Sequence, residues 1–307
     1  MSEMQGVPPV VIVYGDSGRG KTTDALWSFP GALYIPIHKD ALRPSETTCG
    51  YALKPDQVQP QRRLTQATGL LMQIANAQKK EGRLFYPEIV VDDLSLLMSA
   101  ELRAMEESGR YPKKGDGAFR KWSDLGALLQ EFCDVARHEV GAAVIINAHP
   151  RAAETDRTTG MYYMGGPSLP SRKLTVYIPF IATSVYQVGM DSSRLMWPGV
   201  YRSNPDGAWL RKCRLGYNGE LPMNLGELFR GAGISVSRHP GLPWQEEYVQ
   251  AIAEHVLSGA SPRDAGKRAI EQLAGQPSAV VGWTIRDGLD RAAIRQIRSV
   301  GVLSAFQ

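Results

Sequence analysis

The stretch VIVYGDSGRGKTTDA, Val11 to Ala25, passes from a short apolar run into a loop of glycines and then into helix-forming residues. The apolar run predicts a buried β-strand, and the residues after Gly20 predict a helix that begins near Lys21. Gly15, Gly20, Lys21 and Thr22 complete the pattern G-x-x-x-x-G-K-T in this setting. The stretch therefore predicts a phosphate site at the amino-terminal end of a helix.

The loop is expected to bind ATP together with Mg²⁺. Glycines let backbone N–H groups close around phosphate oxygens, Lys21 reaches the terminal phosphates, and the Thr22 hydroxyl is offered to the metal. A plain glycine turn is the alternative, and the fitting strand and helix on either side disfavour it. The predicted ATP-binding residues are Gly15, Asp16, Ser17, Gly18, Arg19, Gly20, Lys21, Thr22 and Thr23.

Further apolar runs predict a sheet around this first strand. Residues 32–37 and the run from Gly141 are apolar along their length, and Glu88 to Met98 supplies a strand that ends on two aspartates. Residues 62–80 and 121–140 have the apolar spacing of helices. Wholly apolar strands separated by helices are typical of a parallel sheet covered on both faces. The predicted fold class is therefore α/β.

The later part of the chain changes character twice. Residues 151–175 are polar and rich in glycine, and short strands are predicted at 183–188, 194–200 and 208–214, the last two as an antiparallel pair. A break near 235–243 is followed by a helical pattern. We expect a core of residues 1–235 and a C-terminal helical region of residues 243–307.

Composition limits the classes of function. The net charge of +4 and pI near 8.9 permit a polyanionic partner without requiring one. Cys49, Cys133 and Cys213 are scattered, which disfavours a zinc site or a disulfide framework. The sequence shows no secretory signal pattern and no long apolar run. We therefore expect a folded protein of a reducing compartment, with no membrane segment.

The strand predicted at "IVVDD" ends in two acidic residues, Asp92 and Asp93. Asp92 is the predicted second ligand of Mg²⁺, acting through water. Asp93 is predicted to orient or deprotonate the attacking water, and the alternative is that it caps the next helix. At the end of another buried strand, "IINAHP", His149 is predicted to sense the γ-phosphate, with Asn147 as the alternative residue. A purely structural histidine is the third possibility.

The ordered set of glycine loop, "VVDD", "INAHP" and "WLRKCRLG" resembles the RecA-like ATPase core, the group of RecA, RadA and the replicative helicases. Residues 212–216 are similar to the K-x-R-x-G segment that reaches into a neighbouring subunit's nucleotide in the RadA and helicase branch. The resemblance implies that Arg214 is a trans-acting arginine finger and Lys212 its companion, in a ring or filament of identical subunits. The alternative is a solvated basic strand edge.

The closer resemblance is to phage-encoded RecA-like proteins, including those proposed to act in single-strand annealing and recombination. It rests on "KWSDLGALLQEF", "GGPSLPSRK" and "LRKCRLGYNGELPMNLGELF", and covers about residues 9–232. RecA-like proteins usually carry a catalytic glutamate after the second strand, whereas this chain reads "YIPIHKDALRP". Asp40 or Asp93 would then serve as the catalytic base, and we expect slow or conditional turnover of ATP.

In RecA-like proteins, single-stranded DNA is held by two loops after central strands. The corresponding stretches here are 108–122 and 151–173, which interleave cations with aromatic residues. A solvated surface or a protein partner is the alternative. The predicted phosphate and base contacts are Lys113, Lys114, Arg120, Lys121, Tyr111, Tyr162 and Tyr163.

The resemblance thus implies an ATPase that oligomerises on single-stranded DNA in phage recombination, annealing or replication, in the cytoplasm of a bacterial host. One alternative is a packaging or assembly ATPase whose cargo is duplex DNA or protein. The other is a structural subunit in which ATP joins neighbouring copies without turnover.

Overall fold

The computed structural model describes residues 8–37, 53–112, 119–190, 199–237, 244–276 and 278–304. A central sheet contains five parallel strands in the spatial order β9-β1-β4-β3-β2. These are β1 (Val10–Tyr14), β2 (Leu33–Pro36), β3 (Glu88–Asp92), β4 (Ala143–Ala148) and β9 (Ser184–Met190). The predicted α/β class with a mainly parallel sheet is confirmed.

Three antiparallel strands complete the sheet beyond β9: β10 (Gly199–Arg202), β11 (Lys212–Cys213) and β12 (Glu220–Pro222). Both β10 and β11 pair with β9, and they do so along different halves of it. The predicted pairing of 194–200 with 208–214 is therefore wrong for the described residues, and 194–198 lie outside them. Asp206 accepts hydrogen bonds from the amides of Ala208 and Trp209, in the turn that precedes β11.

The sheet is covered on both faces, as wholly apolar strands require. Val10, Ile12 and Tyr14 of β1 belong to one hydrophobic cluster, while Val11 and Val13 belong to another. Helices α2 (Leu64–Glu81), α3 (Leu94–Glu107), α4 (Arg120–Asp134) and α5 (Arg172–Ile181) cover the first face. Helices α1 (Lys21–Ser28) and α6 (Leu225–Gly231) cover the second.

The polar stretch 151–175 forms two small ladders before α5 begins. Strand β5 (Pro150–Arg151) pairs with β8 (Gly166–Pro167), and β6 (Glu154–Thr155) pairs with β7 (Tyr162–Tyr163), both antiparallel. The chain between β4 and α5 therefore contains two short antiparallel strand pairs.

The C-terminal helices are α7 (Gln245–Leu257), α8 (Pro262–Gln272) and α9 (Ser278–Ser304). Helix α9 packs on α7 and also reaches the core, because Trp283 and Ile294 belong to the cluster on the second face of the sheet. The predicted boundary spans residues 235–243, of which 238–243 lie outside the described residues.

Asp287 of α9 is a buried carboxylate at this contact. It accepts hydrogen bonds from Trp27 Nε1 at 3.2 Å and from Asn224 Nδ2 at 2.8 Å. Burial raises the pKa of Asp287 to about 7, and the nearby Glu227 adds to the rise while Arg286 and Arg230 oppose it. Burial thus disfavours the charged form of this carboxyl group, while the hydrogen bond from Asn224 favours it.

Candidate phosphate-binding site

The glycine loop lies between the end of β1 and the start of α1. Gly18 and Gly20 have φ angles of 74° and 84°, in the left-handed region that favours glycine. Gly15 is needed for a different reason, since a Cβ there would lie 2.8 Å from the Cβ of Val188. The first i to i−4 bond of α1 runs from the Asp24 amide to the Gly20 carbonyl at 2.8 Å. The amides of the preceding turn have no intrahelical acceptor, which suits an anion.

Lys21 is the first residue of α1 and is only 8% exposed. Its ammonium donates to the carbonyl oxygens of Gly15 at 2.7 Å and Asp16 at 2.9 Å. Burial lowers the pKa of Lys21, and the carboxylates of Asp92 and Asp93 oppose that shift. The ammonium is thus held over the loop where terminal phosphates would bind.

Thr22 and Asp92 lie in direct contact, although 70 residues separate them in sequence. The Thr22 hydroxyl donates to Asp92 Oδ2 at 2.5 Å, and the Tyr34 hydroxyl donates to the same oxygen at 3.0 Å. Sequence reasoning missed Tyr34, whose only signal was its place in the strand beside β3. Burial and the Asp92 carboxylate both raise the pKa of Tyr34, so its hydroxyl stays protonated.

This pair fits a magnesium ion. Mg²⁺ prefers oxygen ligands and is usually bound through one or two carboxylates, with water and phosphate completing the shell. Thr22 and Asp92 would hold it. Among the described residues, no group of three or more His, Cys, Asp or Glu could hold a metal, so protein ligands alone form no closed cage there.

Asp93 caps α3 and also contacts His149. Its Oδ1 accepts from the amide of Leu96 at 2.8 Å, and its Oδ2 lies 3.0 Å from His149 Nε2. Asp93 is 6% exposed. Burial raises its pKa, while the Leu96 amide and His149 lower it. The capping alternative is therefore realised, and the second carboxylate oxygen is engaged by His149.

Asn147 and His149 occupy different surroundings at the end of β4. The His149 side chain is 39% exposed. Asn147 is fully buried, and neither its amide nitrogen nor its oxygen has a partner within the described residues. It follows Ile145 on the face of the sheet that α1 covers. Leaving a buried amide group without a hydrogen-bond partner costs about 1–3 kcal/mol of stability. A ligand that bound on this face and formed a hydrogen bond with Asn147 would remove that cost.

Lys212 belongs to β11, which pairs with β9, and Arg214 follows directly after β11. The Lys212 ammonium donates to the carbonyl of Pro179 and, at 2.7 Å, to that of Ala182, at the end of α5. Burial, Arg214 and Arg137 lower the pKa of Lys212 to about 8. Lys212 thus ties β11 to α5 in its own chain.

Arg214 is exposed and follows Cys213, which pairs with Ser184 at the amino-terminal end of β9. Because β9 runs parallel to β1, this end of the sheet is opposite to the end that carries the glycine loop. Arg214 is thus placed away from the phosphate site of its own chain.

Several residues of the first predicted DNA loop have partners within the chain. The Tyr111 hydroxyl donates to Asp124 at 2.9 Å, and Arg120 Nε lies 3.7 Å from the same carboxylate group. The Lys121 ammonium lies 2.6 Å from Glu106. Lys113 and Lys114 lie outside the described residues.

In the second loop, Tyr162 is 55% exposed, whereas the guanidinium of Arg172 covers the ring of Tyr163 at 5.1 Å. Met161 beside them is 60% exposed. The hairpin of β6 and β7 therefore presents apolar and aromatic surface, and the Arg172 guanidinium beside it is paired with Glu154.

No family model matches the chain, and no curated protein does either. Among solved structures, the chain is similar to a KaiC-like protein from the hyperthermophilic archaeon Pyrococcus horikoshii OT3, at 12% identity and a TM-score of 0.37, over 63% of this chain and 78% of the other. It is also similar to an ATPase from the type III secretion system of pathogenic bacteria, at 12% identity and a TM-score of 0.44, over 93% and 80%.

Within the described residues, no helix is both long enough and apolar enough to cross a membrane.

Proposed function

We propose that the chain is a RecA-like ATPase that binds ATP with Mg²⁺ and hydrolyses it in an oligomer. The observation that supports this most is the 2.5 Å contact between Thr22 Oγ1 and Asp92 Oδ2, beside the buried ammonium of Lys21. It brings the Thr22 hydroxyl and the Asp92 carboxylate of β3 together at the start of α1. That is the arrangement a phosphate-bound magnesium ion requires.

In this proposal each residue of the site has one task. The amides at the start of α1 and the Lys21 ammonium bind the phosphates. Mg²⁺ held by Thr22 and Asp92 would neutralise charge on the β- and γ-phosphates. Asp93 positions the attacking water, with His149 holding the carboxylate in place. The Asn147 amide donates to the γ-phosphate region, which gives its buried group a partner.

Arg214 is proposed to act on the nucleotide of a neighbouring copy. Its place at the far end of the sheet from its own glycine loop supports a role in trans. An arginine finger is worth about 10³ to 10⁵ in rate. Lys212 is then a support of that edge, since its ammonium is taken up by the carbonyls of α5.

A mixing experiment tests both parts. Lys21→Ala and Arg214→Ala should each abolish phosphate release, and an equal mixture should recover about one quarter of the wild-type rate, because random assembly pairs an intact loop with an intact finger at about that fraction of interfaces. The matched control is Arg202→Ala, an exposed arginine paired with Glu220, which should keep full activity.

Two outcomes would contradict the proposal. Wild-type protein that neither binds nor hydrolyses ATP in the presence of Mg²⁺ would refute the ATPase itself. A mixture that stays inactive, with assembly intact, would refute the role of Arg214 in trans.

We further propose single-stranded DNA as the partner, in phage annealing, recombination or replication within a bacterial host cell. The exposed Tyr162 at the tip of β7 supports it, since bases stack on such rings at about 1–3 kcal/mol each. Fluorescence anisotropy with a labelled oligonucleotide, with and without a non-hydrolysable ATP analogue, should show binding that weakens steeply with salt. Binding only to duplex DNA would instead favour a packaging ATPase, and assembly without turnover a structural subunit.

A further inference from the structure

The helix that carries the phosphate-binding residues is joined to the C-terminal helix by a buried ion pair. Asp24 lies on α1, one turn after Lys21, and is fully buried. Its carboxylate accepts from the Tyr201 hydroxyl at 2.6 Å, from the Leu225 amide at 3.2 Å and from the Arg286 guanidinium of α9 at 2.5 Å.

Arg286 is itself held from several sides. It donates to the carbonyl of Met223, lies 3.4 Å from Asp290 and covers the ring of Trp283 at 4.6 Å from guanidinium carbon to centroid. Trp283 in turn stacks on Trp27 of α1, with ring centroids 4.5 Å apart and an interplanar angle of 18°. Helices α1 and α9 thus meet through an ion pair and an aromatic stack.

The position of α1 has to come from such contacts. A helix of eight residues is too short to be stable alone, so its place is set by packing. The side chains of Asp24 and Arg286 are 0% and 3% exposed. Breaking a buried pair by removing one partner leaves an uncompensated charge, which the structure can accommodate only by moving or admitting water. A shift of α1 would carry Lys21 and Thr22 with it.

We propose that Arg286 is a positioning residue for the phosphate site, so that docking of α9 against α1 and binding of nucleotide favour each other. This inference rests on the proposed binding of ATP at the glycine loop. Because such coupling is reciprocal, a partner that draws the C-terminal helices away from the core weakens ATP binding, and bound ATP holds those helices in place.

The chain offers a matched control on the same helix. Arg291 also forms a buried ion pair, with its Nε 2.9 Å from Glu227 of α6, and its Nη1 lies 2.8 Å from the half-buried Glu246 of α7. Its side chain is 9% exposed. The described hydrogen bonds and ion pairs of Arg291 include none to α1.

The test compares Arg286→Met with Arg291→Met, using a fluorescent N-methylanthraniloyl-ATP and Mg²⁺. Both variants should lower the Tm, since both lose a buried charge pair. Only Arg286→Met should weaken the Kd for the nucleotide, by about tenfold, within the usual range for coupled sites. Arg286→Lys, which keeps the charge, should recover part of the affinity.

A Kd for Arg286→Met equal to that of wild type, or an equal loss in both methionine variants, would overturn the inference. Wild-type protein that binds no nucleotide would instead overturn the proposed function, so the two failures are distinct. Hydrogen exchange on the wild type tests the coupling without any substitution. Adding the nucleotide should slow exchange in residues 280–290 together with 21–28, and slowing confined to 21–28 would also overturn the inference.

Discussion

Substitution of Asp93 separates two tasks that share one side chain. Its Oδ1 caps α3 through the Leu96 amide at 2.8 Å, and its Oδ2 faces His149 at 3.0 Å. Asp93→Asn keeps a cap of equal quality, because asparagine and aspartate serve equally well at that position. Asp93→Asn also removes the negative charge that Asp93 would need to orient or deprotonate the attacking water. Asp93→Ala removes both.

The expected magnitudes differ accordingly. Loss of a cap costs about 1 kcal/mol of stability, within a range of about 0.5–2 kcal/mol. For a chain of 307 residues this corresponds to a fall in Tm of a few degrees, about 2–4 °C per kcal/mol. Asp93→Ala should show that fall and Asp93→Asn should not. If Asp93 acts on the attacking water, both variants should lose about 10²- to 10⁴-fold in the rate of hydrolysis.

Thermal melts followed by circular dichroism measure the first quantity, and phosphate release at saturating ATP measures the second. Ser261→Ala is the matched control, because Ser261 caps α8 through the Asp264 amide at 3.1 Å, in the C-terminal region. It should lower the Tm without changing the rate. An equal fall in Tm for Asp93→Asn and Asp93→Ala would refute the capping argument. A rate for Asp93→Asn within about twofold of wild type would refute the role in chemistry.

Two further predictions concern the rest of the fold. The raised pKa of Asp287, which burial and Glu227 produce, means that its contribution to stability is fully present below its unfolded pKa and is lost as pH rises through about 7. The Tm of Asp287→Asn relative to wild type should therefore increase between pH 5 and pH 8, and a constant difference would contradict the shift. At Gly165, a Cβ would lie 2.6 Å from the Trp209 ring and 2.9 Å from the Arg151 carbonyl oxygen. Gly165→Ala should destabilise the protein by about 1–3 kcal/mol in chemical denaturation, and an unchanged midpoint would refute this packing.

Local sequence pattern was enough to predict the sheet strands that flank the site. The middle residues of strands β1, β2, β3 and β4 are apolar, and that pattern depends only on burial of both faces. The start of α1 at Lys21 and the end of β3 at Asp92 were also predictable, because glycines and aspartates mark these ends locally.

The pairing of β10 and β11 was not predictable in this way. Two short strands joined by a turn sequence usually form a hairpin. The local sequence does not show that both strands pair with β9 instead of with each other. The choice between Asn147 and His149 was open for a similar reason. Only the packed structure shows that Asn147 is buried with no hydrogen-bond partner among the described residues, while His149 contacts Asp93.

The sequence by itself determined where a phosphate chain would bind, since the glycine loop, Lys21 and Thr22 are neighbours in the chain and their geometry follows from the start of a helix. The tertiary structure alone decided what surrounds that loop. Tyr34 reaches Asp92 from the neighbouring strand, and Arg286 reaches Asp24 from 262 residues away. Such contacts are formed when distant segments pack together. The spacing of residues along the chain does not predict which distant segment will supply the partner.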